Sequence, residues 1–223
     1  MLDSSAYQSW VIGEEHTLYC PGIPGAGKTI LSTIVINDLW RRAKLDPTHI
    51  GIAYVYFSYK LKSEQKINQV LRSLLRQLTQ LLPSLPNEIL ELRTNHKDSQ
   101  TQPTTRELSN LLRSVARLYP HVFIVLDALD ECDTESGNRK TFLSSIAELQ
   151  DSSHVRLFAT SRPDEMEGFF DGKPWLEIRA SDEDIRVFLE ARIESLSGFI
   201  SLRKNEDLRA EIKRKIAEAA SGM

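Results

Sequence analysis

Eight residues near the start of the chain, Gly22-Ile23-Pro24-Gly25-Ala26-Gly27-Lys28-Thr29, restrict what it can fold into more than any other segment. They satisfy G-x-x-x-x-G-K-[ST] at every specified position, the pattern of a phosphate-binding loop. Leu18-Tyr19-Cys20 precedes them, and Ile30, Leu31, Ile34, Val35 and Leu39 recur behind them at helical spacing. The setting is therefore strand, loop, helix. Glycines let the backbone take conformations closed to other residues and approach a ligand closely. Amides from Gly25 to Thr29 can then converge on a triphosphate at a helix N-terminus, where the dipole favours anions. Pro24 stiffens the loop without donating to it. Lys28 supplies a mobile cation for the terminal phosphates, and the Thr29 hydroxyl suits Mg²⁺.

Five strand candidates alternate with helices, which predicts an α/β fold with a parallel sheet covered on both faces. They are Thr17 to Cys20, Ile50 to Phe57, Val122 to Leu126, Val155 to Ala159 and Trp175 to Ile178. A first helix is expected from about Lys28 to Lys44, ending before Pro47. The next carries Ile67, Leu71, Leu74, Leu75, Leu78, Leu81 and Leu82 on one face, a core stripe that Pro83 and Pro86 break. Asn95 to Thr105 reads as an exposed loop. A helix bearing Leu108, Leu111, Leu112, Val115 and Leu118 follows, and another is expected from Arg139 to Gln150. Beyond Ser181-Asp182-Glu183-Asp184, an N-cap signal, two helices are expected over about Asp182 to Ser195 and Glu206 to Ala220. The expected division is a lead-in over 1–16, a P-loop NTPase domain over 17–180 and a helical subdomain over 181–223.

The rest of the site is legible at two strand ends. His121-Val-Phe-Ile-Val-Leu-Asp127 is an apolar strand closed by a carboxylate that can reach the Mg²⁺ shared with Thr29. Glu131 stands where a carboxylate can orient and deprotonate a water attacking the γ-phosphate, with Asp130 as its rival; Asp133 and Glu135 read as a solvated loop. After Val155 to Ala159 comes Thr160-Ser161-Arg162-Pro163. Arg162 there is either a phosphate sensor or a structural strand-end arginine. The long insertion between the loop and Asp127 holds a strand candidate, which implies strand order 5-1-4-3-2 with the ligand at the C-terminal sheet edge.

Composition bounds the partners. The 223 residues carry a net charge of −3, with 41% hydrophobic content. At a pI of about 6.0 no basic field recruits nucleic acid or anionic membrane. Cys20 and Cys132 are the only cysteines and lack zinc or disulfide spacing, so they read as reduced core residues of a soluble, cytoplasmic chain. No apolar run approaches a membrane span.

Tyr19-Cys-Pro-Gly-Ile-Pro-Gly-Ala-Gly-Lys-Thr-Ile-Leu, Val125-Leu-Asp-Ala-Leu-Asp-Glu-Cys and Ala159-Thr-Ser-Arg-Pro together resemble NACHT-type STAND ATPases. Within these the chain is most similar to the nephrocystin-like P-loop domain of many fungal NOD-like receptors. Leu2-Asp-Ser-Ser, Gln8-Ser-Trp and Leu176-Glu-Ile-Arg-Ala-Ser-Asp-Glu-Asp-Ile also carry the resemblance. It implies an NTP-controlled signalling switch that self-associates when active, flanked by an upstream effector domain and downstream ankyrin, WD40 or TPR repeats. By position, Lys28 and Thr29 match the phosphate and Mg²⁺ contacts, Asp127 the metal-side aspartate, Glu131 the distal acidic residue and Arg162 the sensor-like arginine. The chain departs from the pattern at its ends. No effector domain precedes Leu2, and neither a winged-helix domain nor repeats follow Met223, so the helical subdomain over 181–223 is expected to be truncated. An ADP-locked off state is not expected of it alone.

Two functions follow from these residues. One is a regulatory ATPase that hydrolyses slowly while its nucleotide state biases conformation and assembly. The other is a nucleotide-binding interaction scaffold with negligible catalysis. A small-molecule P-loop kinase is a third reading. Asn95-His96-Lys97-Asp98 is a poor match to a guanine-reading N-K-x-D element, so ATP or ADP is preferred, with GTP the alternative.

Overall fold

Three largely apolar strands run side by side in a parallel sheet in the computed structural model. β1 (Thr17–Pro21), β3 (His121–Asp127) and β4 (Val155–Ser161) are buried along their whole length, apart from His121. Such runs suit strands covered by helices on both faces. With β2 (Ile50–Tyr56) they give the order β1-β4-β3-β2, every pair parallel. The structure describes residues 1–46, 49–80, 82–132, 138–166, 168–179, 211 and 214–215.

The expected fifth strand is not formed. Trp175 makes an isolated bridge to Tyr19, held by Tyr19 N donating to the Pro174 carbonyl at 3.0 Å and Leu176 N to the Tyr19 carbonyl at 2.8 Å. Position and direction match the expected outer place beside β1. The ladder stops after one residue because Trp175 is 62% exposed and the segment has too little burial to extend the pairing. Among the described residues the sheet therefore has four strands rather than five.

Alternation sends the two sets of sheet side chains to opposite layers. Ala53, Val55, Val122, Ile124, Leu126, Leu157 and Ala159 pack in one core with α3 (Ile67–Thr79), α5 (Thr105–Ala116) and α6 (Asn138–Ser152). The leucine stripes of α3 and α5 are what this layer buries. Thr104 caps α5 reciprocally, accepting from Glu107 N at 3.3 Å while its own N–H donates to Glu107 Oε2 at 2.8 Å. On the other face lie α1 (Ser5–Ile12) and α2 (Lys28–Leu45). Trp10 of α1 is fully buried, edge-on to Phe123 at 5.2 Å and 5.9 Å from Phe158. The Tyr7 hydroxyl donates to Asp38 Oδ2 on α2 at 2.8 Å, and Arg42 Nε reaches the same oxygen at 2.7 Å. Burial beside Asp38 lifts the Tyr7 hydroxyl far above the ordinary tyrosine range, so it stays a donor.

Asn95 does not begin a loop. α4 (Asn87–Asp98) runs through it, resting Ile89 and Leu92 on the core without burying any residue completely. Asn95-His96-Lys97-Asp98 thus forms the end of a helix, which removes even the superficial likeness to a base-reading loop. Both cysteines are buried, and burial pushes the Cys20 thiol up to about 12. No described helix is long and apolar enough to cross a membrane.

Two compact units divide the chain: Met1–Gly22 with Lys28–Glu177, and Ile23–Gly27 with Ile178–Met223. In the second, Lys215 Nζ pairs with Glu211 Oε1 at 3.0 Å. The helices expected over 182–195 and 206–220 otherwise lie outside the described residues, as do Leu81, Asp133 and Glu135.

Candidate functional site

β1 ends at Pro21 and α2 starts at Lys28, so the phosphate-binding motif is the connection between them. The residues Ile23–Gly27 turn tightly, with Ala26 N donating to the Ile23 carbonyl at 3.2 Å. Gly25 and Gly27 adopt φ of 82° and 91°. Space is not the constraint at either position, because a Cβ there would meet nothing within 4 Å. The backbone is: an L-residue at such φ costs about 1–2 kcal/mol. Gly27→Ala is therefore expected to weaken nucleotide binding by roughly fivefold or more, read by calorimetry, with unchanged helix content by circular dichroism.

Lys28 and Thr29 open α2, whose first-turn amides have no partners within the helix. Lys28 Nζ donates to the Gly22 carbonyl at 2.7 Å. Partial burial pulls its pKa below the ordinary lysine range; Asp130, Asp127 and Glu131 oppose that shift and Arg162 adds to it. The cation thus stands among the residues expected to receive the terminal phosphate.

Asp127, 2% exposed at the tip of β3, collects three hydroxyls. Thr29 Oγ1 donates to its Oδ2 at 2.6 Å; Ser32 Oγ and Thr160 Oγ1 donate to its Oδ1 at 2.7 Å each. The Thr160 hydroxyl also accepts from Ala128 N at 2.9 Å, which locks the carboxylate to β4. Three donated hydrogen bonds compensate a carboxylate that burial would otherwise penalise. Thr29 and Asp127 supply hard oxygen donors side by side, a donor set that fits Mg²⁺. Among the described residues no group of three His, Cys, Asp or Glu could hold a metal. An ion here would therefore need phosphate oxygens and water to complete its shell, as is usual for magnesium on nucleotides.

The two rival carboxylates sit on a short 3-10 turn, Leu129–Glu131, entered through Ala128 at φ 53°. They part company in their bonding. Asp130 Oδ1 accepts from Arg162 N at 3.2 Å and Oδ2 pairs with Arg162 Nε at 3.1 Å, so one carboxylate grips the arginine by backbone and side chain. Glu131 Oε2 accepts from Tyr59 N at 3.0 Å, past the end of β2. Sequence reasoning missed Ser32, Tyr59 and the Asp130–Arg162 pair. Ser32 could have been found, since it lies one turn from Thr29 on the same helix face. The other two depend on strand order.

Solved structures share this fold. Aeropyrum pernix ORC1 in complex with DNA superposes with a TM-score of 0.58 at 18% identity, over 85% of this chain and 47% of that one. Aeropyrum pernix ORC2, solved as ADPNP-ADP complexes, gives 0.57 at 14%, over 87% and 52%. AMPPCP-bound DnaA from Aquifex aeolicus gives 0.50 at 14%, over 93% and 53%. This chain spans about half the length of those structures, and identities this low establish the fold alone: a parallel sheet flanked by helices. A search of curated proteins finds no match. The family described as "Nephrocystin 3, N-terminal" matches residues 1–162, from the segment before α1 through the phosphate loop and Asp127 to Arg162. With 162 of 223 residues matched, the chain belongs to the Nephrocystin 3 N-terminal family.

Proposed function

We propose that this chain is the nucleotide-dependent switch domain of a NACHT-type STAND protein, binding ATP with Mg²⁺ and hydrolysing it slowly. The observation that carries the reading is the 2.6 Å bond between buried Asp127 and the hydroxyl of Thr29, the residue next to Lys28. Two residues distant in sequence meet there, and their oxygens supply a donor pair that suits a magnesium nucleotide. The loop Gly22–Thr29 receives the phosphates, Lys28 neutralises the terminal one and Glu131 takes the proton of the attacking water. A bound Mg²⁺ would screen phosphate charge. Arg162 reports the γ-phosphate by exchanging Asp130 for it.

The nephrocystin-like resemblance supports the wider setting: self-association in the active state, effector and repeat domains in a full-length fungal receptor, and a cytoplasmic location. ATP and ADP are favoured over GTP because ADPNP, ADP and AMPPCP are the ligands of two structures sharing this fold. The ORC1 structure with DNA shares only that fold. The net charge of −3 supports a domain that works without nucleic acid or membrane.

A second reading, a nucleotide-binding scaffold with negligible turnover, draws on the carboxylates themselves. Both Asp130 oxygens are held by Arg162, and one Glu131 oxygen is held by Tyr59. Titration calorimetry with Mg-ATP and Mg-GTP tests the binding that both readings share. Lys28→Ala should weaken Mg-ATP binding by about 2 kcal/mol, roughly thirtyfold. Unchanged affinity in that variant would remove the basis of both.

A further inference from the structure

β2 is the outer strand of the sheet, and nothing in its sequence protects it. Ile50–Tyr56 reads Ile-Gly-Ile-Ala-Tyr-Val-Tyr: seven residues with no charge and no proline, rich in β-branched and aromatic side chains. Open edges of this composition recruit further strands, and chains usually blunt them with Lys, Pro or a bulge. Here two glutamine side chains occupy the ladder instead.

Phe57 N donates inward, to the Asp127 carbonyl on β3, so the even-numbered residues beside it turn their backbone groups outward. Gln77, on α3, takes both outward groups of Tyr54. Tyr54 N donates to its Oε1 at 3.0 Å, and its Nε2 donates to the Tyr54 carbonyl at 2.9 Å. Gln65 repeats the device one step along. Ser58 N donates to its Oε1 at 2.9 Å, and its Nε2 donates to the Tyr56 carbonyl at 2.7 Å. A primary amide offers one donor and one acceptor side by side, as a peptide unit does. Two of them, set two to four residues apart along the edge, copy the pairing of a neighbouring strand without extending it.

We propose that the outer edge of β2 is a strand-addition surface that Gln65 and Gln77 keep shut, and that a second copy of this chain is what they exclude. The edge is uncharged along its whole strand, so two identical edges meet without electrostatic penalty about a twofold axis. That self-complementarity selects a second copy over a charged peptide. Gln77 is the principal clamp because it satisfies both groups of one residue and is anchored on α3, whose other face is core. The amide's capacity to donate is what distinguishes it from a merely polar surface residue. The proposal does not depend on nucleotide binding, since none of these groups belongs to the phosphate site.

The test is amide exchange combined with light scattering on the full chain, for wild type, Gln77→Met and Gln65→Met/Gln77→Met. Methionine keeps length and packing while removing both hydrogen bonds, so folding is preserved. In wild type the Tyr54 and Ser58 amides should exchange slowly for an edge strand. In Gln77→Met the Tyr54 amide should exchange about tenfold faster, and the double variant should gain mass with concentration where wild type does not. Gln77→Glu serves as the second variant. Its charge guards the edge by repulsion, so it should remain at the wild-type mass although the Tyr54 carbonyl loses its donor. Unchanged Tyr54 exchange in Gln77→Met would overturn the clamp. Accelerated exchange with no added association in the double variant would overturn the excluded partner, as would association through a surface other than β2 in cross-linking.

Discussion

Trp10→Ala is expected to lower the unfolding free energy by about 3–5 kcal/mol, the largest stability effect of any single substitution in α1. Its indole is fully buried between Tyr7, Phe123 and Phe158, so truncation opens a cavity against the middle of the sheet. The helix it anchors has little else of its own. Eight residues do not hold a helix in water, so α1 exists because it docks. Ser4 caps its start, accepting from Tyr7 N at 3.3 Å, and Gly13 closes its end at φ 93°. From β4, Arg156 reaches back to it. This buried guanidinium bonds the Val11 carbonyl, lies 3.2 Å from His121 Nδ1 and covers the Phe123 ring at 5.1 Å. A Cβ on Gly13 would fall 2.5 Å from its Nη2, and the φ of 93° strains any L-residue there, so both space and backbone favour glycine. Urea denaturation measures the effect, and Trp10→Phe is the control. Phenylalanine keeps most of the ring and removes an indole N–H that finds no partner, so its loss should stay below about 1.5 kcal/mol. Equal losses in the two variants would mean that the cavity is not what matters.

That anchoring was hidden in the sequence, while the phosphate loop was plain. The difference is one of range. The loop is a contiguous string whose glycines, lysine and threonine each answer a local demand of backbone or charge, and Asp127 is announced by the five buried strand residues before it. The core leucines of α3 and α5 repeat with the helical period, so their faces were legible too. What Trp10, Arg156, Asp130 and Gln77 do is decided by which strand lies beside which. Nothing local in the sequence singles out Arg156; its role follows only once β4 is placed between β1 and β3, where its side chain meets α1. Asp130 and Glu131 are adjacent and chemically alike, and only the neighbouring strand end separates them. α4 was missed because its residues are mainly polar and just Ile89 and Leu92 touch the core, too few to show a period. The fifth strand was overread for the opposite reason. Trp175-Leu-Glu-Ile has strand composition and alternation, but pairing also needs a covering layer, and the described segment remains at the surface.

Glu131→Gln should cut ATP turnover by about 10²–10⁴-fold while leaving Mg-ATP affinity within about twofold of wild type. The substitution is mild for the fold, since the amide oxygen of glutamine still accepts the Tyr59 N–H that Glu131 Oε2 now accepts at 3.0 Å. What it removes is the capacity to take a proton, so an effect confined to kcat identifies a base and not a strut. Asp130→Asn is the necessary companion. Its carboxylate is 5% exposed and holds Arg162 through two atoms, so its loss should free the arginine and lower turnover less, with a change in KM. If Asp130→Asn abolished turnover while Glu131→Gln kept it, the two carboxylates would trade roles and Arg162 would be the group that sets the base. If neither variant changed a measurable rate, the domain would hold nucleotide without consuming it. The scaffold reading would then stand, with the bonds that occupy both carboxylates as its physical cause.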